Sequence, residues 1–140
     1  MKYNKSCGFV VYKKINNQNN YLIIKSSNGD FGFPKGHMEK EESEIQTAIR
    51  ELKEETNVEV RLIDGYRYQI EYRMPNMLDT IKQSLYFLGE CIHDDIICQP
   101  NEVLEAKFLT YDEALKVLTF EETKNILKKA EEFLASEVLL

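Results

Sequence analysis

The chain has only three cysteines and lacks long apolar runs. Its three cysteines, Cys7, Cys91 and Cys98, are odd in number and do not have the paired spacing of a zinc site. This disfavours both a disulfide framework and structural zinc. The apolar run near the N-terminus is only a few residues long, so neither a signal peptide nor a membrane span is expected. These absences predict a soluble protein in the reducing cytoplasm.

Positive charge is also scarce, because 18 lysines and arginines stand against 24 aspartates and glutamates. Sequence-independent binding to DNA or RNA needs a basic surface that releases counterions, so it is not expected here. A polyanionic substrate must therefore meet local basic side chains or a bound cation. The 140 residues show no repeat and no interdomain linker, which predicts a single domain over 1–140. We expect this small acidic domain to be a monomer or weak homodimer.

Strand patterns occur on both sides of one central helix pattern. Residues 6–13 and the stretch that begins at Tyr21 are rich in β-branched and aromatic residues and flank the Asn-rich segment INNQNN, which predicts an antiparallel hairpin. Two further strand-like runs, VEVRLIDGYRYQIEYRM and QSLYFLGECI, are joined by a predicted loop around MPNMLDT. Another strand is predicted near 106–109.

Helices are predicted over 43–56, around 112–118 and over 120–134. The first has apolar residues at helical spacing, namely Ile45, Ala48, Ile49 and Leu52. Capping boxes are predicted at two helix starts, Ser43 with Gln46 and Thr119 with Glu122. The order of elements predicts an α+β protein, in which a mixed sheet is interrupted by one helix and followed by C-terminal helices.

The helix over 43–56 carries acidic residues on one face. Glu51, Glu54 and Glu55 stand at i, i+3 and i+4, so their carboxylates project together, and Glu44 lies two turns earlier on the same side. Like charges repel, and the face becomes favourable when it holds a divalent cation such as Mg²⁺ or Mn²⁺. We expect this face to be exposed at the mouth of a cleft. The alternative interpretation is an ordinary solvated helix face.

The surrounding segment, GHMEKEESEIQTAIRELKEETNV, resembles the signature of the Nudix hydrolase family. The matching positions are Gly36, Glu42, Arg50, Glu51, Leu52, Glu54, Glu55 and Val58. Asn57 replaces the last glycine of the signature, at a left-handed helix cap where Asn is the usual substitute. The resemblance implies the Nudix fold, an α/β/α sandwich, and hydrolysis of a phosphoanhydride bond in a nucleoside polyphosphate.

The resemblance also implies a set of metal ligands for Mg²⁺, with Mn²⁺ as the alternative ion: Glu51, Glu54, Glu55, Glu102 and the carbonyl of Gly36. Arg50 and Glu42 would orient the carboxylates. In this family the general base is either a signature glutamate or a later one on a loop. Our candidate for the later glutamate is Glu102, and Glu105 is its rival.

More of the chain resembles one Nudix subgroup, the asymmetrical dinucleoside tetraphosphatases, which split diadenosine tetraphosphate into ATP and AMP. This resemblance runs from CGFVVY through FGFPKGHMEKEE to the last helix. It implies that Lys35 and His37 face the polyphosphate and that Lys82 and Tyr86 lie near the phosphates and the base. Phe31 stands where relatives often carry tryptophan, which leaves the base preference open.

Two other functions stay open at this point. A pyrophosphohydrolase for nucleoside triphosphates or RNA 5′ ends would use the same metal site, because the signature does not fix the leaving group. A nucleotide-sensing module without turnover belongs to a different class. Intact Glu51, Glu54 and Glu55 speak against such a module, because a degenerate site would be expected to lose these ligands first.

Overall fold

The computed structural model describes residues 2–74 and 77–138. The elements in chain order are β1 (Lys2–Ile15), β2 (Gln18–Ser26), β3 (Phe31–Gly32), β4 (Lys35–His37), α1 (Glu44–Thr56), β5 (Glu59–Met74), β6 (Met77–His93), β7 (Val103–Thr110), α2 (Tyr111–Val117) and α3 (Glu121–Val138). The predicted mixed sheet, with one helix between its strands and helices at its C-terminal end, is confirmed.

The sheet is built around β1. Its strands follow the order β3-β2-β1-β6-β5, with β4 paired to β1 and β7 paired to β2. The β1–β6 pair is parallel and the other pairs are antiparallel. The predicted β1–β2 hairpin is confirmed, and its turn residues Asn16 and Asn17 have φ values of 53° and 64°. Asparagine tolerates this left-handed backbone better than most residues, which explains the Asn-rich segment.

Alternation along β1 creates two cores, one on each side of the sheet. Cys7, Phe9 and Val11 pack with Ala48 and Leu52 of α1. Val10 and Tyr12 point to the opposite side and join a cluster that includes buried apolar residues of α2 and α3. The layers are therefore α1, the sheet, and α2 with α3, which is the expected α/β/α sandwich.

Helix α1 has the predicted ends but a different buried face. The Ser43 and Gln46 capping box is present, and Asn57 closes the helix in the left-handed conformation with φ 63° and ψ 16°. Ile49, predicted as part of the apolar stripe, is 53% exposed, so that prediction is wrong. The residues that are buried instead include Thr47, Glu55 and Thr56.

Two further local predictions need correction. Strands β5 and β6 extend to Met74 and Met77, which pair with each other, so the predicted loop around MPNMLDT is shorter than expected. Its residues 75 and 76 lie outside the described part of the chain. Thr119 does not form the predicted cap, because its hydroxyl accepts from the Phe31 N–H at 2.8 Å and α3 begins only at Glu121.

The capping box near the C-terminus belongs to α2 instead. There the Thr110 hydroxyl accepts from the Glu113 N–H, while the Glu113 carboxylate accepts from the Thr110 N–H. Among the described helices, none combines the length and the apolar character needed to cross a bilayer.

Candidate active site

A cavity of about 660 Å³ lies between the sheet and the start of α3. Lys35, Glu55, Lys82 and Tyr86, all singled out from the sequence, line it together. They come from β4, α1 and β6. The fold therefore brings into one cavity residues that are separated by as many as 51 positions in the chain, from 35 to 86.

Strand alternation explains why the β6 residues meet in this cavity. Lys82, Ser84 and Tyr86 occupy every second position and therefore point to the same side of the sheet. Their antiparallel partners on β5 are Tyr72, Ile70 and Tyr68, respectively. Tyr72 and Ile70 also line the cavity, so this wall has a polar strand beside an apolar one.

Lys35 connects three elements of the site. Its backbone N–H donates to Glu55 Oε1 at 3.0 Å, and its ammonium Nζ donates to Ser84 Oγ at 3.1 Å. Burial lowers the pKa of Lys35 and the nearby charge of Lys82 lowers it further, while Glu55 opposes the shift. Two neighbouring lysines with incomplete charge compensation favour an anionic ligand in this part of the cavity.

Glu55 is buried, with only 8% of its surface exposed, so the expectation of a fully exposed acidic face is wrong at this position. Burial is the first cause that raises the pKa of Glu55, to about 8, and the charges of Glu51 and Glu102 raise it further. The hydrogen bond from the Lys35 N–H lowers the pKa of Glu55. A carboxylate held in this environment gains stability when a cation approaches it.

Glu51 packs directly against Gly36. A Cβ atom at position 36 would lie 2.0 Å from the Glu51 carboxyl carbon, so any residue larger than glycine would collide with this carboxylate. Burial raises the pKa of Glu51, Glu54 and Glu102 contribute in the same direction, and Arg50 opposes the shift. The close approach brings the backbone of Gly36 beside the carboxylate, as the sequence signature requires.

Arg50 binds several of the acidic residues at once. Its guanidinium donates to Glu42 Oε2 at 2.6 Å, to Glu51 Oε1 at 2.9 Å and to Glu54 Oε2 at 3.2 Å. It also donates to the His37 carbonyl at 3.0 Å. Hydrogen bonds from Arg50 are the largest cause that lowers the pKa of Glu42, to about 2. Arg50 thus fixes the relative positions of the helix carboxylates and the preceding loop.

The carboxylates of Glu51, Glu54 and Glu55 are the kind of ligand that a hard divalent cation prefers, although they do not have the arrangement of a metal-bound site. Within residues 2–74 and 77–138, no group of three or more His, Cys, Asp or Glu side chains has the arrangement of metal ligands. Arg50 engages Glu51 and Glu54, while the Lys35 N–H engages Glu55. Glu51 and Glu55, whose pKa values are raised by burial and by neighbouring carboxylates, have the chemistry that Mg²⁺ or Mn²⁺ compensates, and the Gly36 backbone lies beside Glu51.

The two candidate bases differ in their surroundings. The charge of Glu102 acts on the pKa of both Glu51 and Glu55, so this exposed side chain lies close to the acidic cluster. Its carbonyl accepts from the Ser27 N–H at 2.9 Å, which anchors its loop to the end of β2. Glu105 instead forms an ion pair with Lys107 at 3.6 Å.

His37 does not line the main cavity with Lys35, and Glu44 does not lie with the other glutamates of α1. His37 is exposed, its Nδ1 lies 3.3 Å from Ser6 Oγ, and it lines a second cavity. Glu44 binds Lys5 and Arg67, so its charge is compensated away from the other glutamates. Hydrogen bonding to Arg67 is the first cause that lowers the pKa of Glu44.

Aromatic residues divide into buried and exposed parts of the cavity wall. Tyr86 is only 1% exposed and its ring packs edge-on against Phe33, with 5.7 Å between centroids. Phe120 and Tyr72 line the same cavity but are 50% and 40% exposed. Sequence reasoning missed Phe120 and Ser84. A phenylalanine just before a predicted helix was the available signal for Phe120, and the position of Ser84 midway between Lys82 and Tyr86 in one strand was the signal for Ser84.

The fold and this site define a member of the Nudix family. The NUDIX domain model matches residues 7–130, so the chain belongs to that family.

Its relatives include asymmetrical bis(5′-nucleosyl)-tetraphosphatases. The Sus scrofa protein is 29% identical over 94% of this chain and 96% of its own length. The Caenorhabditis elegans protein is 27% identical over the same shares of the two chains. A crystal structure of a C. elegans Ap4A hydrolase binary complex matches with a TM-score of 0.86 at 27% identity, covering 95% of this chain and 98% of that one.

Proposed function

We propose that this protein hydrolyses diadenosine tetraphosphate to ATP and AMP, using Mg²⁺ or Mn²⁺. The near full-length similarity to relatives named for this activity supports the proposal. The observation that carries it is the junction of Lys35, Glu55 and Ser84, where a basic cavity wall meets the acidic helix. We further propose a cytoplasmic location and a monomer or weak homodimer, and the three free cysteines agree with a reducing compartment.

In this proposal Glu51, Glu54, Glu55, Glu102 and the Gly36 carbonyl hold the cation. When bound, the cation neutralises charge on the phosphate oxygens and makes water a better nucleophile. Arg50 and Glu42 position the carboxylates, a role supported by the hydrogen bonds of the Arg50 guanidinium to Glu42, Glu51, Glu54 and the His37 carbonyl. Glu102 accepts the proton of the attacking water, because it is exposed and near Glu51 and Glu55.

Different residues of the cavity wall bind different parts of the substrate. Lys35 and Lys82 bind the polyphosphate through charge-assisted hydrogen bonds. The exposed rings of Tyr72 and Phe120 stack on the nucleobase, which contributes about 1–3 kcal/mol per base. Tyr86 supports the wall from within the core, since its ring is almost completely buried. His37 contacts the part of the polyphosphate that leaves the main cavity.

The test is chromatographic analysis of the products formed with Mg²⁺ from diadenosine tetraphosphate, from nucleoside triphosphates and from triphosphorylated RNA. ATP plus AMP in equal amounts, formed faster than products of the other substrates, is the expected result. Two ADP would contradict the proposed bond. Preferential cleavage of a nucleoside triphosphate or of the RNA end would assign a different Nudix substrate, and binding without any turnover would leave a sensing module. Addition of EDTA should abolish turnover.

A further inference from the structure

The segment between β6 and β7, residues 94–102, carries the candidate base Glu102 and contains neither a helix nor a strand. We call this segment the Glu102 loop. Of its two isoleucines, Ile96 packs against the core cluster that contains Leu52, whereas the side chain of Ile97 is 61% exposed. Because so little of the loop is buried, its position depends mainly on hydrogen bonds.

The Glu102 loop is bound to the C-terminal end of α1. The backbone N–H groups of Ile97 and Gln99 donate to the carbonyls of Thr56 and Glu55, each at 3.0 Å. These carbonyls belong to the last turn of the helix, where no intrahelical N–H is available to them. The backbone of Glu55, a proposed cation ligand, is therefore in direct contact with the loop that carries Glu102.

Asn57 adds a side-chain contact to these backbone bonds. Its Nδ2 donates to the carbonyl of Asp95 in the Glu102 loop at 2.9 Å. The residue also closes α1 in the left-handed conformation, so it caps the helix and binds the loop at the same time. A glycine, which the family signature has at this position, would close the helix equally well but has no side chain that could donate.

The other end of the Glu102 loop is attached to β2. The Glu102 carbonyl accepts from the Ser27 N–H at 2.9 Å, and the Glu102 N–H donates to the Gln99 carbonyl at 3.3 Å. Hydrogen bonds therefore hold the loop from Asp95, beside Asn57, to Glu102 at its end. The position of Glu102 relative to α1 depends on the contacts at both ends.

The Glu102 side chain has no support of its own. Within residues 2–74 and 77–138, its exposed carboxylate makes no hydrogen bond and no ion pair, so the loop backbone alone determines where it lies. A displacement of about 1 Å in a catalytic group can lower turnover by up to about 100-fold. A general base on such a loop therefore needs a loop that is well fixed.

We propose that Asn57 is a positioning residue for hydrolysis, because it ties the Glu102 loop to the end of α1 and so keeps the Glu102 carboxylate beside Glu51 and Glu55. This inference rests on the proposed function, in which Glu102 accepts the proton of the attacking water. It gives a role to the residue at which this chain departs from the family signature.

The first experiment measures amide hydrogen exchange by NMR in the protein without metal or nucleotide. Asn57→Gly removes the side-chain donor and keeps a residue that favours left-handed backbone. Asn17→Gly is the matched control, because Asn17 is exposed, has a φ of 64° close to the 63° of Asn57, and lies in the turn after β1. Thermal unfolding reports whether each variant keeps its fold.

In Asn57→Gly, the exchange protection of the Ile97 and Gln99 N–H groups should fall about fivefold, which is the effect of losing one hydrogen bond. Asn17→Gly should leave this protection unchanged. Unchanged protection in Asn57→Gly would show that Asn57 does not hold the loop, and the inference would be wrong whatever the enzyme hydrolyses.

The second experiment measures kcat and KM for diadenosine tetraphosphate with Mg²⁺ in wild type, Asn57→Gly, Glu102→Gln and the double variant. Asn57→Gly should lower kcat about three- to tenfold and leave KM nearly unchanged, because the substrate-binding wall is intact. Glu102→Gln should lower kcat by about 10²-fold or more. In that background Asn57→Gly should change kcat by less than about twofold, since it acts through Glu102.

Equal losses from Asn57→Gly in both backgrounds, or lower exchange protection without a loss of kcat, would show that Asn57 is only structural and would overturn the inference. Full turnover by Glu102→Gln would refute Glu102 as the base and the inference with it. If the wild type did not hydrolyse the dinucleotide, the proposed function itself would fail. That outcome is distinct from normal wild-type turnover that Asn57→Gly leaves unchanged.

Discussion

Helix α1 and the wall of the main cavity differ in where their residues lie in the chain. Helix α1 supplies neighbouring residues, whereas the wall takes its residues from distant segments. The carboxylates of Glu51, Glu54 and Glu55 come from less than two turns of one helix. The wall takes Lys35 from β4, Tyr72 from β5, Ser84 from β6 and Phe120 from the segment before α3. Most of the groups proposed to hold the cation are therefore close in sequence, whereas the groups proposed to bind the substrate are brought together from distant segments by the fold.

The largest effect should follow from Glu55→Gln. Turnover of diadenosine tetraphosphate should fall by about 10²- to 10³-fold or more, because the change removes a negative charge from the cation site. The fold should persist, since the glutamine oxygen can still accept from the Lys35 N–H. Steady-state kinetics with Mg²⁺ measures the effect, and Glu105→Gln is the control. Full activity of Glu55→Gln would show that the helix face is not the catalytic part.

Leu52→Ala should affect stability much more than catalysis. Leu52 is 1% exposed, so its truncation should lower the free energy of unfolding by about 2–5 kcal/mol. Ile49→Ala, on the same helix but 53% exposed, should change it by less than about 0.5 kcal/mol. Urea denaturation of both variants makes the comparison. Similar losses at the two positions would contradict the observed orientation of α1.

Phe120→Ala should weaken substrate binding without slowing the chemical step. Loss of one stacking ring should raise KM about tenfold, while kcat should stay close to the wild-type value. Ile97→Ala is a suitable control, because Ile97 is 61% exposed and does not line the main cavity. A fall in kcat at unchanged KM would show that Phe120 acts in the chemical step and not in substrate binding.

A further expected effect concerns the pH dependence of stability in the protein without added metal. The pKa of Glu55 is raised to about 8 in the folded state, so folding binds a proton that the unfolded chain releases near its ordinary value. This contribution to stability is complete at low pH and is lost as the pH rises from about 4.5 to about 8.

The difference in unfolding free energy between wild type and Glu55→Gln isolates this contribution. Relative to the variant, the wild type should lose stability across that pH window, and urea denaturation at several pH values measures the loss. A difference that stays constant with pH would contradict the raised pKa.

Local features were predictable from the sequence where a few neighbouring residues determine them. Ser43 and Gln46 cap α1 as expected, and Asn57 adopts the left-handed conformation that its place in the signature requires. The β1–β2 hairpin also followed from the strand patterns on both sides of the Asn-rich turn, while the α/β/α layers were expected from the resemblance to the Nudix family. These features depend on short-range hydrogen bonds and on which faces are apolar.

The failures have a common physical cause, which is tertiary contact. Thr119 would cap α3 in isolation, but its hydroxyl accepts a hydrogen bond from the Phe31 N–H of β3. Ile49 belongs to an apolar pattern, yet the packing of α1 on β1 buries Thr47 and Glu55 instead. Ser84 accepts a hydrogen bond from Lys35, which lies 49 positions earlier in the chain. Spacing within one strand or helix does not show which distant segment packs against it.

Mn²⁺ binding, measured by electron paramagnetic resonance, shows whether the carboxylates of α1 hold the catalytic cation. Free Mn²⁺ would be titrated with wild type, Glu55→Gln and Glu105→Gln in the absence of nucleotide. If these carboxylates hold the cation, Glu55→Gln should bind Mn²⁺ at least about tenfold more weakly than the wild type, while Glu105→Gln should bind it equally well. Equal affinity of all three proteins would show that Glu55 does not hold the cation.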